Sequence, residues 1–155
     1  MSVYNVNALT AATAATIDHA IVQIWNPHAT ARITIWEVGV VTTVAPVAAA
    51  GFVIRRSTAR GVGSASSFAP TLEHSTGRDS APSSGFFVDL AAFTTQPTLV
   101  AGELGPAWVL VAAIGSGVIL PIQRGLVVPP GTGIVLVNRA AIALTASEVS
   151  FVIED

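Results

Sequence analysis

The sequence predicts an all-β chain folded as a single-domain β-sandwich or jelly roll. Three observations predict it. Short runs of β-branched and aromatic residues alternate with polar ones along much of the chain. Pro, Gly and Asn punctuate those runs at short intervals. No stretch carries the period of a long amphipathic helix, so at most one short helix is expected. A succession of short strands without helices is the pattern of sandwiches, jelly rolls and barrels. At 155 residues, with no internal repeat, the chain fits one domain with one core.

Residues 1–16 are rich in Ala, Thr and Asn, with Tyr4 and Leu9 as the large apolar anchors. They read as an N-terminal arm ordered against a neighbouring subunit, leaving 17–155 as the sandwich domain. His19–Trp25 alternates, with Ala20, Val22 and Ile24 on one face and Ile21, Gln23 and Trp25 on the other. After the reversal Asn26-Pro27-His28-Ala29-Thr30, the run Arg32–Val41 answers it, setting Ile33 and Ile35 opposite Trp36, Val38 and Val40. The two runs predict an antiparallel hairpin with both faces largely apolar. Phe52–Arg56 is a short strand ending in the basic pair Arg55-Arg56. Residues 58–85 hold seven Ser, four Gly and two Pro. They read as a long polar loop, of the kind used for interaction.

Phe86–Leu90, Pro97–Ala101 and Trp108–Ile114 are the next strands. The window from Leu104 to Ile122 has no charged residue and is long enough to suggest a membrane span. Pro106, Gly115-Ser116-Gly117 and Pro121 instead divide it into strand, hairpin and strand. Val118–Gln123, Leu126–Val128, Ile134–Asn138 and Glu148–Ile153 complete the set. Between Leu126–Val128 and Ile134–Val137 lies the reversal Pro129-Pro130-Gly131-Thr132-Gly133. It resembles the start of a nucleotide-binding loop, but Ile134 and Val135 stand where Lys and Ser or Thr would bind phosphate and Mg²⁺. Nucleotide binding is therefore not expected. In the last strand Val149, Phe151 and Ile153 alternate with Ser150, Val152 and Glu154.

The composition is 52% hydrophobic and 10% charged, against roughly 25% charged in ordinary soluble domains. Few charges favour a chain that buries surface in a homo-oligomer. The net charge of −2 gives no attraction to nucleic acid. All seven basic residues are Arg; arginine suits bidentate interface contacts, although GC-rich coding explains the bias more simply. The absence of Cys removes thiolate, disulfide and zinc-ribbon chemistry. The N-terminus has neither a basic nor an apolar leader region, so no secretory signal is expected.

No residue set declares catalysis. His19, His28 and His74 lack any compact ligand spacing, and the His-x-His pattern of cupins is absent. No metal and no cofactor are expected. Glu73-His74 beside Arg78-Asp79 reads as a solvated loop with local salt bridges rather than an acid–base pair. The other carboxylates show no glycosidase spacing, and no G-x-S-x-G elbow occurs. The candidate residues are for interaction. Arg55, Arg56, Arg60 and Arg78 are candidates for contact with a larger assembly. Tyr4, Trp25 and Trp36 are candidates for the subunit interface, since aromatic side chains contribute large burial energies.

The segments I-V-Q-I-W-N-P (21–27), I-T-I-W-E-V-G (33–39) and R-G-L-V-V-P-P-G-T-G-I-V-L (124–136) resemble small head decoration, or cement, proteins of tailed bacteriophages. The resemblance implies a non-enzymatic virion subunit made in the host cytoplasm. It implies a homotrimer on the capsid surface that clamps neighbouring capsomers, with the major capsid protein as partner. The alternatives are a phage tail or receptor-binding β-domain that binds glycan at exposed aromatics, and a cupin-like metal enzyme, which the missing ligand pattern disfavours.

Overall fold

The structure is a computed structural model that describes residues 3–65, 71–72, 85–105, 107–139 and 141–155. No helix occurs among them. Their strands are β1 (Val3–Leu9), β2 (Ala20–Asn26), β3 (Ile33–Thr42), β4 (Ala50–Ala59), β5 (Val62–Ala65) and β6 (Thr71–Leu72). They continue as β7 (Phe87–Thr95), β8 (Thr98–Leu99), β9 (Trp108–Leu110), β10 (Gly117–Val128), β11 (Thr132–Asn138) and β12 (Ser147–Glu154). The first sheet has the order β10-β3-β12-β1-β6 and the second the order β5-β7-β2-β11-β4-β8, with β9 also pairing with β4. All pairings are antiparallel. The two sheets pack as a β-sandwich, burying Ile24, Ile35, Phe52, Leu136 and Phe151 in one core between them.

The alternation expected of β12 is observed: Val149, Phe151 and Ile153 are buried and the residues between them are not. Two other strands depart from simple alternation, each at a bulge. In β2 the pairing steps from Val22↔Leu136 to Ala20↔Val137, which leaves Ile21 as an extra residue. Ile21 therefore joins Val22 in the main core, while Ala20 packs on the other side of the sheet. In β3 the pairing with β12 passes from Glu37↔Val152 to Ile35↔Ile153 and skips Trp36. Val38 and Val40 thus share the inner face with Ile33 and Ile35, against the expectation that they oppose them. One inserted residue reverses the facing of everything beyond it.

Among the described residues no strand is hydrogen-bonded to its immediate successor. The expected hairpins are therefore corrected. The chain leaves β2 in one sheet and enters β3 in the other; it does the same between β9 and β10 and between β10 and β11. The proline turn shows the cause. Pro129 and Pro130 have no N–H to extend the ladder of β10, and the Gly131 N–H donates instead to the Asn26 carbonyl at 2.9 Å. The Asn26 side-chain amide donates to Ala31 O at 2.9 Å and Val128 O at 3.1 Å. One asparagine thus ties both sheet-to-sheet turns together.

Other boundaries also move. Residues 3–9 form β1, paired with β12 on one side and β6 on the other, because Tyr4 and Val6 reach the core; of the arm expected over 1–16, the described residues 3–16 are a strand followed by a connection. Thr58 and Ala59 complete β4 and residues 62–65 form β5, so the expected loop over 58–85 begins later than its polar composition indicates. Residues 66–70 and 73–84 lie outside the described residues. The strand expected over Trp108–Ile114 stops at Leu110, and Pro97–Ala101 contributes only Thr98–Leu99. The expected strands Val118–Gln123 and Leu126–Val128 are one strand, β10, with an irregularity between Pro121 and Leu126.

The second sheet curls. Its strands β7 and β8 are separated by β2, β11 and β4, yet only Gln96 and Pro97 join them. A small second core fills the curl: Ala20, Val53, Val135 and Val137, with Phe93 and Leu99 against them. The second face of β2, expected to meet another segment or subunit, meets another segment of its own chain at Ala20.

Candidate functional site

Three of the four candidate arginines lie among the described residues, and each is held within the chain. Arg55 Nη1 is 2.7 Å from Asp18 Oδ2, and its guanidinium also donates to Val100 O at 3.0 Å. This ion pair secures Asp18, which sits at a φ of 62° in the left-handed region. Arg56 Nη1 donates to Val127 O at 3.0 Å. Neighbours along a strand point to opposite faces. Arg55 pairs opposite Val135 of the small core, and Arg56 opposite Ile134 of the main core. The basic pair is therefore not one patch. Arg78 lies outside the described residues.

Arg60 grips the nearly buried Asp89 with two bonds, Nε to Oδ2 at 2.8 Å and Nη2 to Oδ1 at 2.7 Å. Its guanidinium carbon lies 3.6 Å from the Phe87 ring centroid, a cation–π contact. The Asp89 hydrogen bonds hold the Arg60 guanidinium above its ordinary value, against the opposing effect of burial. A raised cation contributes fully below the ordinary guanidinium range and is lost only above it, so this charge does not switch near neutral pH. Beside the pair, Gln23 is fully buried on β2. Its amide donates to Ser57 Oγ at 2.8 Å and accepts from the Gly61 N–H at 2.8 Å. Gln23 and Asp89 together fasten the Arg60-Gly61 crossing onto the curled sheet.

The candidate aromatics separate. Tyr4 is 2% exposed and meets Phe86 edge-on, with centroids 6.1 Å apart. It belongs to the domain's own core, which corrects its assignment to a subunit interface: β1 lies inside the sheet, with a strand on either side. Trp25 is half-buried, and a Cβ added at Gly133 would lie 2.9 Å from its ring. Trp36 is 38% exposed and donates its indole N–H to Glu154 Oε2 at 2.6 Å. Its ring lies over Gly125, where the chain has a φ of 64°.

Among the histidines, the His28 side chain has a structural role. His28 Nδ1 accepts from the Thr30 and Ala31 N–H groups at 3.0 and 2.8 Å, which closes the turn after β2. His74 lies outside the described residues. Among the described residues no group of three His, Asp or Glu is placed to hold a metal ion. No helix among them is long and apolar enough to cross a membrane.

Two apolar features take shape only in the folded chain. One is a recess of about 320 Å³ between β4, Leu104-Gly105 and the edge strand β10, lined by Ile54, Leu104, Leu120, Ile122 and Leu126. Its lining side chains offer no donor or acceptor to orient or activate a substrate. The other is one end of the sandwich. There the β3–β4 connection meets the β9–β10 connection, with Thr42 Oγ1 donating to Ala113 O at 2.9 Å and Gly115 N to Thr42 O at 2.9 Å. The β11–β12 connection joins them: Thr43 N donates to Ala146 O at 3.2 Å, and Thr145 Oγ1 bonds to Val44 O. Val44, Val47, Val109, Val111 and Ile114 at this end are 52–88% exposed. The signal for it was present as three separate charge-free segments, of which the described residues 38–54, 107–123 and 141–147 are brought together only by folding.

No protein-family model matches the chain, and a search of curated proteins finds no match.

Proposed function

We propose that the chain is a non-enzymatic virion structural protein, a decoration or cement subunit that acts as a homo-oligomer and bridges capsomers on a phage head. The observation that carries this reading is a division of labour among side chains. The polar groups best suited to chemistry, Gln23, Asp89, Arg60, Asn26 and His28, are engaged in fastening the fold, while the exposed end at Val47 and Ile114 is apolar. Such a molecule offers surface for assembly rather than a reaction centre. The trimeric order and the major capsid protein as partner come from the resemblance of residues 21–27, 33–39 and 124–136 to cement proteins.

A decoration subunit needs a second, more polar footprint for the shell. Arg55, Arg56 and Arg60 have internal partners, whereas Arg32 and Arg124 are exposed and take part in no ion pair among the described residues. The test is cosedimentation of purified protein with heads that lack it, together with mass spectrometry of complete particles. Binding to heads and presence in particles are expected. Arg32→Glu with Arg124→Glu is expected to weaken head binding more than Arg55→Glu with Arg56→Glu. Absence from particles and no binding to heads would overturn the reading.

Trp36 favours a second reading, a tail or receptor-binding domain. An exposed indole beside the Glu154 carboxylate is the pairing of apolar platform and polar group that a sugar ring requires. Saturable quenching of tryptophan fluorescence by a glycan, lost in Trp36→Ala, would favour this reading over decoration.

A further inference from the structure

We infer that the charge-free end of the sandwich is the surface on which a second copy of this chain docks. The inference rests on the reading of the chain as a self-associating subunit and assigns the face that does it. Three considerations lead to it.

The first is the size of the patch. Val44, Val47, Val109, Val111 and Ile114 are 52–88% exposed, and Ala45, Ala48, Ala49, Ala112 and Ala113 between them are exposed as well. Together they present on the order of 700 Å² of largely apolar surface, above the ~300–600 Å² of the largest patch on a typical monomer. The same area is close to the roughly 800 Å² that each partner contributes to a standard interface.

The second is charge. Nine acidic and seven basic side chains occur in the chain, and none lies in the described segments 38–54, 107–123 and 141–147 that contribute to this end. Two copies of a charged patch repel wherever like groups face each other. Two copies of an uncharged one do not, so this face is compatible with itself. The charges that approach it stand at its rim, Glu148 at the start of β12 and the Arg139–Glu103 ion pair beside Gly51. An apolar centre inside a polar rim is the anatomy of a protein–protein interface.

The third is rigidity. The connections are fastened to one another by Thr42, Thr43 and Thr145, and Pro46 within the first is buried. A surface held in place loses little conformational entropy on docking.

The test is sedimentation velocity over a concentration series on the whole chain. Val47→Asp with Ile114→Asp introduces two carboxylates per copy at exposed positions of the patch. Val127→Asp, an exposed position at the opposite end of β10, is the control. Circular dichroism and thermal unfolding of each variant show that the fold is kept. The expected result is an oligomer for the natural chain and the control, with the dissociation constant of the double variant raised about 100-fold or more. Unchanged association of the double variant would overturn the assignment of this face and leave the self-association reading standing. A natural chain that stays monomeric at high micromolar concentration would overturn both.

Discussion

The side-chain amide of Asn26 donates to the carbonyl of Val128, 102 residues further along the chain, at 3.1 Å. The bond joins the end of β2 in one sheet to the end of β10 in the other, at a site fully closed to solvent. The same amide reaches Ala31 O, and the Asn26 carbonyl receives the Gly131 N–H. Asn26→Ala leaves the buried Val128 carbonyl without its donor. A loss of about 2–4 kcal/mol is expected, read as a lower urea midpoint with an unchanged slope. A loss within 0.5 kcal/mol, on the order of an ordinary surface substitution, would show that the turns hold without it.

Gln23 makes a second prediction. Gln23→Met keeps the volume of the side chain but abandons Ser57 Oγ and the Gly61 N–H. The expected cost is about 2–3 kcal/mol. Hydrogen exchange at Gly61 should accelerate more than at the Val135 amide in the middle of β11. Equal protection at Gly61 in both proteins would show that the crossing is held by other contacts.

Gly131 in the turn and Gly133 two residues further on, in β11, are required for different reasons. Gly131 has a φ of 65° with nothing within 4 Å of an added Cβ. Gly131→Ala should therefore cost only backbone strain, about 1 kcal/mol. A Cβ at Gly133 would lie 2.6 Å from Ser57 Oγ and 2.9 Å from the Ile24 carbonyl oxygen. Because a strand backbone cannot yield as a side chain can, Gly133→Ala should cost about 2–3 kcal/mol. Thermal unfolding of the two variants side by side checks the order; a larger loss at Gly131 would contradict it.

Tyr4 distinguishes a strand from an arm. As part of an interface arm it would matter only to the oligomer. As a buried residue packed on Phe86, it should cost about 3–5 kcal/mol when replaced by Ala. Unfolding measured at concentrations low enough to dissociate any oligomer separates the two cases, since a core residue retains its effect there.

The all-β architecture was legible because a run such as Val149, Phe151 and Ile153 has the period of a strand, whatever packs against it. The turns were legible for a similar reason, since Pro129, Pro130 and Gly131 restrict the backbone locally. Which strands pair was not legible. A hairpin and a sheet-to-sheet turn both require a reversal between two extended runs. They differ in whether the runs meet by their backbone edges or by their side-chain faces, and that choice depends on partners such as Asn26 and Val128, far apart in the chain. The bulges at Ile21 and Trp36 were equally hidden, because an extra residue is defined only against the strand opposite. The polar candidates read from the sequence were residue types suited to contact, but Arg55, Arg56 and Arg60 found partners within the fold. The uncharged segments were plain as composition, yet their meeting at Val47 and Ile114 is a product of chain crossings that no local interaction specifies.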